Sequence, residues 1–402
     1  MLDSPSSVAV SPDGKNVYLT GGPSAVAVFV RNAKTGALTQ LTGPSGCVSL
    51  TGSGGSCAKG RALDTASAVT VSPDGRNVYV ASFFSDGIAS FARDPRTGAL
   101  TQLAGKDGCV TQTGGNGACS TGTQLFRPTS VTVSPDGANV YVASSISNAV
   151  DVFARNAKTG VLAQLAKPQG CVSESGNHGA CVDGRGLLGA HAVSVSPDGT
   201  SVYVAAGQGE RAPTANVAVF ARDPASGALS QSPTADGCLN DGAGDPLCPA
   251  ARGLDAPTSI LVSGDGRNVY LGSSAGLAAF ARNAKTGALR QLAGKDGCVR
   301  DSGPGCGHAS ILAVDSIALS PDGQSLYAAS GDGNTLAVLA RAASSGALRQ
   351  LPAPDGCVGA GAHCLHGRAL GEPVGVAVSR DGKSVYLASA SSNAVAVLAR
   401  RP

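Results

Sequence analysis

Apolar and small polar residues alternate along this chain in runs of five or six, too short for helices and too regular for loops. Ala68–Ser72 (AVTVS) reads as a half-buried strand, Asn77–Ser82 (NVYVAS) as a second, Ile88–Arg93 (IASFAR) as a third and Ala99–Leu103 (ALTQL) as a fourth. Pro73-Asp74-Gly75 turns the first strand into the second: Pro presets φ, Asp bonds its own backbone and Gly accepts positive φ. Asp94–Gly98 (DPRTG) is the turn between the third and the fourth. A Gly-rich stretch carrying two cysteines then leads to the next set of strands.

This order returns seven times. The aspartates of the Ser-Pro-Asp-Gly turns and their variants stand at 13, 74, 136, 198, 265, 322 and 381, in steps of 61, 62, 62, 67, 57 and 59. All seven tyrosines follow these turns: Tyr18, Tyr79, Tyr141, Tyr203, Tyr270, Tyr327 and Tyr386. In the third strand Phe29, Phe91, Phe153, Phe220 and Phe280 share one position, taken by Leu339 and Leu398 in the last two copies, and an Arg follows two residues later in every copy. Such a period marks one supersecondary unit that buries its apolar faces only against its neighbours. Four antiparallel strands per unit, seven units and no helical pattern predict an all-β fold, a seven-bladed β-propeller forming a single domain over residues 1–402. The blades are expected near 4–41, 67–103, 129–165, 191–232, 258–292, 315–351 and 374–402, with the Tyr and Phe rings packed between neighbouring sheets. The last blade lacks a fourth strand before Pro402, giving 27 strands in all. Either the natural chain is longer, or blade seven presents an open edge able to pair with another chain.

The stretches Val69–Ser82 and Val131–Ser144 (VTVSPDGxNVYVAS) resemble the repeats of seven-bladed YVTN-type proteins of the lactonase-like family. The resemblance runs through the whole chain. It implies the propeller fold, and it leaves open sugar-lactone hydrolysis, muconate-type cycloisomerisation or a role other than catalysis. The absence of Trp excludes a WD40 propeller.

Net charge is +3, from 30 basic and 27 acidic residues spread evenly over the repeats, so no basic face for nucleic acid is expected. No apolar run is long enough to span a membrane. The 12 cysteines fall into six local pairs, Cys47/Cys57, Cys109/Cys119, Cys171/Cys181, Cys238/Cys248, Cys298/Cys306 and Cys357/Cys364. One pair per Gly-rich loop predicts six disulfides and an extracellular, periplasmic or cell-surface location. These loops are expected to crown the face at the channel mouth, where they would shape a pocket or brace it. No secretion signal opens the chain, which predicts a mature form or a fragment.

Positions that break a repeat are candidates for chemistry. The residues six before the turn Pro should reach the axial channel: Ser6, Ser67, Thr129, His191, Thr258, Asp315 and Val374. Only His191 and Asp315 among them titrate. The loop between the second and third strands lengthens in blade four to Gly207–Asn216, with Glu210 and Arg211, and in blade two it carries Phe83 and Phe84. His191, Glu210, Arg211 and Asp315 form the candidate catalytic set, and Phe83, Phe84, His191 and Arg211 the candidate ligand-binding set. His or Glu would act as general base and Arg would hold a carboxylate. No cofactor or metal is expected. Arg61, Arg185, Arg252 and Arg368 recur at one loop position and are expected to anchor backbone. Because the repeats stay so alike, the first expectation is a binding or scaffold module whose disulfide-crowned face meets a protein, glycan or small molecule. The alternative is a lactonase or cycloisomerase relative acting on a sugar lactone or carboxylic acid at the channel mouth.

Overall fold

The computed structural model describes residues 3–22, 24–207, 214–361 and 363–400. They fold into seven antiparallel sheets arranged radially, and the inner strand of blade one, Asp3–Val10, lies against that of blade seven, Pro373–Val378, closing the ring. The predicted seven-bladed propeller is therefore the fold.

Each turn forms as its residues dictate. In blade two Ser72 Oγ donates to Asp74 Oδ1 at 2.6 Å, the Gly75 amide donates to the Ser72 carbonyl at 2.8 Å, and Gly75 takes φ of 69°. The second strands are buried almost throughout, since each faces a neighbouring blade on both sides. Seven apolar clusters result, and each unites the Tyr of one blade with the Phe or Leu of the next: Tyr18 with Phe91, Tyr79 with Phe153, and so on round to Tyr386 with Phe29.

A second bond between blades accompanies every cluster. Arg93, from the third strand of blade two, reaches back to blade one, where its Nη2 meets the Asp13 carboxylate at 2.8 Å and its Nε donates to Tyr18 Oη at 2.8 Å. Its Nη1 donates to the Gly75 carbonyl of its own blade at 3.0 Å. Seven such Arg–Asp pairs run round the ring, ending with Arg31 to Asp381 and Arg400 to Asp322. The turn aspartate is thus also the anion for a nearly buried guanidinium. Burial works against ionisation of Asp74, but hydrogen bonds from Ser72, Arg155 and the Arg76 amide, with the Arg155 charge, outweigh it and hold the carboxyl below its usual range.

Among the described residues the strand count is 38 rather than 27. The fourth strand, Leu38–Gln40 in blade one, covers only one half of the third. The chain then returns along the other half as Cys47–Ser49, with Cys47 opposite Ala27, and a further two-residue strand pairs parallel to it.

All six predicted disulfides form. Cys47 bonds Cys57, Cys109 bonds Cys119, Cys171 bonds Cys181 and Cys238 bonds Cys248, each across ten residues, while Cys298 bonds Cys306 across eight and Cys357 bonds Cys364 across seven. Their setting differs from the loop that the sequence suggests. The first cysteine of every pair opens the returning strand. Cys57, Cys119, Cys181, Cys306 and Cys364 each stand immediately before the outermost two-residue strand, and Cys248 stands two residues before Ala250, which bridges to Asn240 in its place. What reads as a crown loop is mostly the outer edge of the blade. The physical reason is that a half-paired edge exposes amides and carbonyls, and the returning chain satisfies them.

Blade seven keeps three strands among the described residues. Three of the four recurring loop arginines anchor backbone: Arg61 donates to the Gly105 carbonyl at 2.7 Å, Arg185 to that of Ser232 at 2.8 Å and Arg252 to that of Gly294 at 2.8 Å.

One carboxyl group is buried within a sheet. Asp151 occupies a third-strand position where the other blades have Ala27, Ala89, Ala218, Ala278, Ala337 and Ala396. It is fully buried, and accepts from Ser144 Oγ at 2.7 Å and Gln164 Nε2 at 3.4 Å. Burial drives its pKa well above the carboxylate range, against the Ser144 hydrogen bond.

Two outcomes follow for stability. Asp74→Ala strands the Arg155 guanidinium, 1% exposed, and should lower stability by about 2–3 kcal/mol in urea unfolding with disulfides intact, the modest end for a buried pair because Asp74 is a third exposed. Asp151→Ala should act in the opposite sense at neutral pH. A folded-state pKa above the unfolded one means stability is lost as pH rises from about 4, so the variant should gain on the parent progressively between pH 4 and 8, and a constant difference would refute the assignment.

Candidate functional site

The inner strands leave an axial channel, and how each strand bends decides what lines it. In blades two, three, four, five and seven the pairing between inner and second strands skips one residue, namely Ser67, Thr129, His191, Thr258 and Val374. A bulge of this kind leaves the extra residue unpaired and re-aims its side chain. Here all five, with Ser6 and Asp315, face one cavity of about 230 Å³ on the axis. The predicted channel ring is therefore correct at all seven positions.

Most of this ring is structural. Ser6 Oγ donates to the Ala66 carbonyl at 2.7 Å, Ser67 Oγ to that of Pro128 at 2.9 Å and Thr129 Oγ1 to that of His191 at 2.7 Å, while Thr258 Oγ1 bonds the Val314 carbonyl. Each hydroxyl stitches its blade to the next. His191 and Asp315 do no stitching. They are also the only titratable side chains among the described residues lining the cavity.

The His191 ring receives no hydrogen bond from a described residue and faces the channel. Enclosure by the seven inner strands disfavours its charged form and pushes its pKa down to about 4. The imidazole is consequently neutral at pH 7, with a lone pair available. Asp315 Oδ2 accepts from the Gly331 amide at 2.6 Å. Burial raises its pKa, the Gly331 hydrogen bond opposes this, and the neighbouring Asp332 and Glu372 charges add to the rise.

The remaining candidates part company with this pair. Glu210 and Arg211 lie outside the described residues. Phe83 and Phe84 do not line the cavity. Their rings meet edge to face at 5.3 Å, and the Arg127 guanidinium covers both, at 4.8 and 4.3 Å from the centroids. Arg127 escaped the sequence reading. Its signal was its place immediately before the inner-strand Pro128, where blade seven has Glu372 and other blades have Thr65 or Gly189.

The cysteines also stand apart from the channel, which corrects their placement as a crown over the site. None of the pairs Cys47 and Cys57, Cys109 and Cys119, Cys171 and Cys181, Cys238 and Cys248, Cys298 and Cys306, or Cys357 and Cys364 lines the cavity. They lie on the outer strands, while the inner strands alone supply the channel wall. The disulfides therefore brace the blade edges and do not shape the site.

Comparison with known proteins adds to this geometry. Residues 3–183, the first three blades, match the family model described as lactonase, 7-bladed beta-propeller. The chain folds as a seven-bladed propeller, and its first three blades are similar to the lactonase family. No curated protein matches it. Among solved structures it is similar to the periplasmic gluconolactonase of Pseudomonas aeruginosa, with 21% identity, coverage of 96% of this chain and 92% of that one, and a TM-score of 0.62. It is equally similar in outline to Kuenenia stuttgartiensis hydrazine synthase, with 17% identity, coverage of 99% and 96%, and a TM-score of 0.60. At such identities these likenesses speak for the fold. The lactonase match nevertheless overturns the first expectation, a binding or scaffold module, in favour of the lactonase alternative. The propeller's own geometry agrees, with converging polar groups in one axial cavity rather than seven equivalent notches. The six disulfides fit an oxidising compartment, and no helix among the described residues is long and apolar enough to cross a membrane.

The position of His191 can be checked directly. Its ring is expected to titrate near pH 4 by NMR, and a midpoint near the ordinary 6.5 would mean that it is not enclosed by the channel.

Proposed function

We propose that this propeller hydrolyses a small uncharged lactone of the sugar-lactone class in its axial channel, outside the cytoplasm. The observation that carries the reading is a polar cavity whose two titratable groups are a neutral imidazole and a carboxyl of raised pKa, ringed by Ser and Thr. Its volume, about 230 Å³, lies below the roughly 300–1,000 Å³ of drug-sized pockets and suits a single sugar ring.

In this reading His191 accepts a proton from water as the water oxygen attacks the lactone carbonyl carbon. The ring C–O bond then breaks, the departing alkoxide takes the proton from the imidazolium, and a hydroxy acid results. Asp315 binds substrate hydroxyls and favours the transient imidazolium. The channel hydroxyls keep acceptor lone pairs for further hydroxyls while their protons stitch the blades. Charge selects the substrate. No Lys or Arg is found among the described residues of the lining, and Asp315 is acidic, so a phosphorylated lactone or a dicarboxylate fits this cavity less well than a neutral ring.

The test is acid release from gluconolactone, followed by pH-stat. His191→Ala should lower kcat/KM by about 10²–10⁴-fold, and Asp315→Asn should raise KM more than it lowers kcat. Activity should fall as pH drops through about 4, where His191 takes up its proton. Full activity of His191→Ala would remove the reading.

A further inference from the structure

A residue that recurs once per blade is spread evenly along the chain and concentrated on one face of the ring. The antiparallel strands put the turn between the first and second strands and the turn between the third and fourth at the same end of each blade. The two kinds of turn interlock from blade to blade: Asn16 Nδ2 donates to the Thr97 carbonyl at 2.9 Å, Asn139 Nδ2 to that of Ser226 at 3.2 Å and Asn268 Nδ2 to that of Ser345 at 3.2 Å. The loops between second and third strands, and the starts of the inner strands with His191 and Asp315, lie at the opposite end.

The turn end is basic. The residue after the turn Gly is Lys15, Arg76, Arg267 or Lys383 in four blades, and Ala138, Thr200 or Gln324 in the others. The third residue of the other turn is Lys34, Arg96, Lys158 or Lys285, with Ala225 and Ser344 where it differs. Arg380, in place of the turn Pro of blade seven, is a ninth cation. All nine side chains are exposed, and none joins an ion pair among the described residues. The seven turn aspartates do not neutralise them, since each is matched by the buried Arg of a neighbouring blade. Asp94 and Asp223 are the remaining acids of the described turns, and each accepts from amides of its own turn. The opposite end has the reverse sign. Among the described residues its loops between second and third strands carry Asp86 and Asp332 and no Lys or Arg. The two residues before the inner strands of blades two to seven supply Asp64, Asp255, Asp315 and Glu372 against Arg127.

We propose that the turn end of the ring docks on the surface of an anionic lipid bilayer, by electrostatic contact without insertion, and so holds the channel mouth away from the membrane and open to solution. Three features select this partner. The cations ring one end of the propeller, an array that meets a planar layer of anionic headgroups all at once, whereas a nucleic acid is a line of charge and would meet a fraction of it. The described turns expose no large apolar side chain, so they offer neither the apolar centre of a protein interface nor an anchor in hydrocarbon. The reversal of charge along the axis gives attraction at one end and repulsion at the other, which fixes the orientation. Docking of this kind is independent of the reaction proposed for the channel.

The experiment sediments the folded propeller, disulfides intact, with vesicles of phosphatidylcholine alone or with about one third phosphatidylglycerol, at roughly 20 mM salt. Binding is expected to the anionic vesicles alone, with release by about 0.5 M salt, where screening shortens the reach of each charge. The fourfold variant Lys15→Ser, Lys34→Ser, Lys158→Ser and Lys285→Ser should bind about 10²–10³-fold more weakly, at about fivefold per cation. A second fourfold variant, Lys59→Ser, Lys106→Ser, Lys167→Ser and Lys295→Ser, changes net charge equally at exposed positions on the outer edges of the blades. It should stay within about threefold of the parent, because contact with the surface and not net charge carries the binding. No binding to anionic vesicles, equal binding to neutral ones, equal loss in the two variants, or tighter capture by duplex DNA than by vesicles in the same buffer would overturn the proposal. The comparison of the two lipids and the salt release stand even if a variant does not fold.

Discussion

Every blade of this propeller is held to the next by one arginine. Its guanidinium is almost wholly buried; its own blade gives it a backbone carbonyl, and only the correct neighbouring sheet presents the carboxylate and the tyrosine hydroxyl together. An unpaired buried cation is costly, so the bond specifies register as well as contact. The apolar Tyr–Phe wedge beside it is non-directional and would tolerate some sliding. The ion pair does not. Aspartate of the hairpin turn therefore has two duties, closing its own turn through Ser and fixing the next blade through Arg, and this explains why turn, tyrosine and arginine recur as a set. The same seven aspartates, all held below their usual pKa against the cost of burial, make the ring sensitive to acid: stability present above about pH 4 is lost as they protonate.

Sevenfold sameness turns the channel into a place where departures count. A bulge at the start of the inner strand aims one side chain per blade at the axis, and Ser or Thr there is used up in binding the next blade. His191 and Asp315 give up that stitching bond, a local cost to the ring, and gain access to a shared cavity. Stability and chemistry are separated in space: ion pairs join the blades near their hairpin turns, disulfides close the outer edges, and titratable groups meet on the axis.

The outer edge shows the same economy of parts. Short strands, each covering half of the third, let one blade use the fourth strand for the wedge and the disulfide strand for the rim. Where the wedge leucine is not in place, as at blade seven, an apolar groove, a tyrosine hydroxyl and a buried guanidinium edge are left facing one another.

Period and alternation by themselves determined the blade count, the turn positions, the rings between blades and the ring of seven channel residues, because each depends on local pattern repeated at a fixed spacing. The cysteine pairs were legible for the same reason, being ten residues apart or fewer. Sequence did not reveal that the turn Asp and the third-strand Arg meet, since they are 80 residues apart in number and adjacent only once the ring forms. Nor did it show Phe83 and Phe84 covered by Arg127 and kept from the channel, or the disulfide strands belonging to the sheet edge. Asp151 was passed over because a single Asp in a strand looks solvated until the sheets on both sides bury it. Tertiary structure alone decided these points, because burial, desolvation and contact between blades come into being only when seven sheets close on one another.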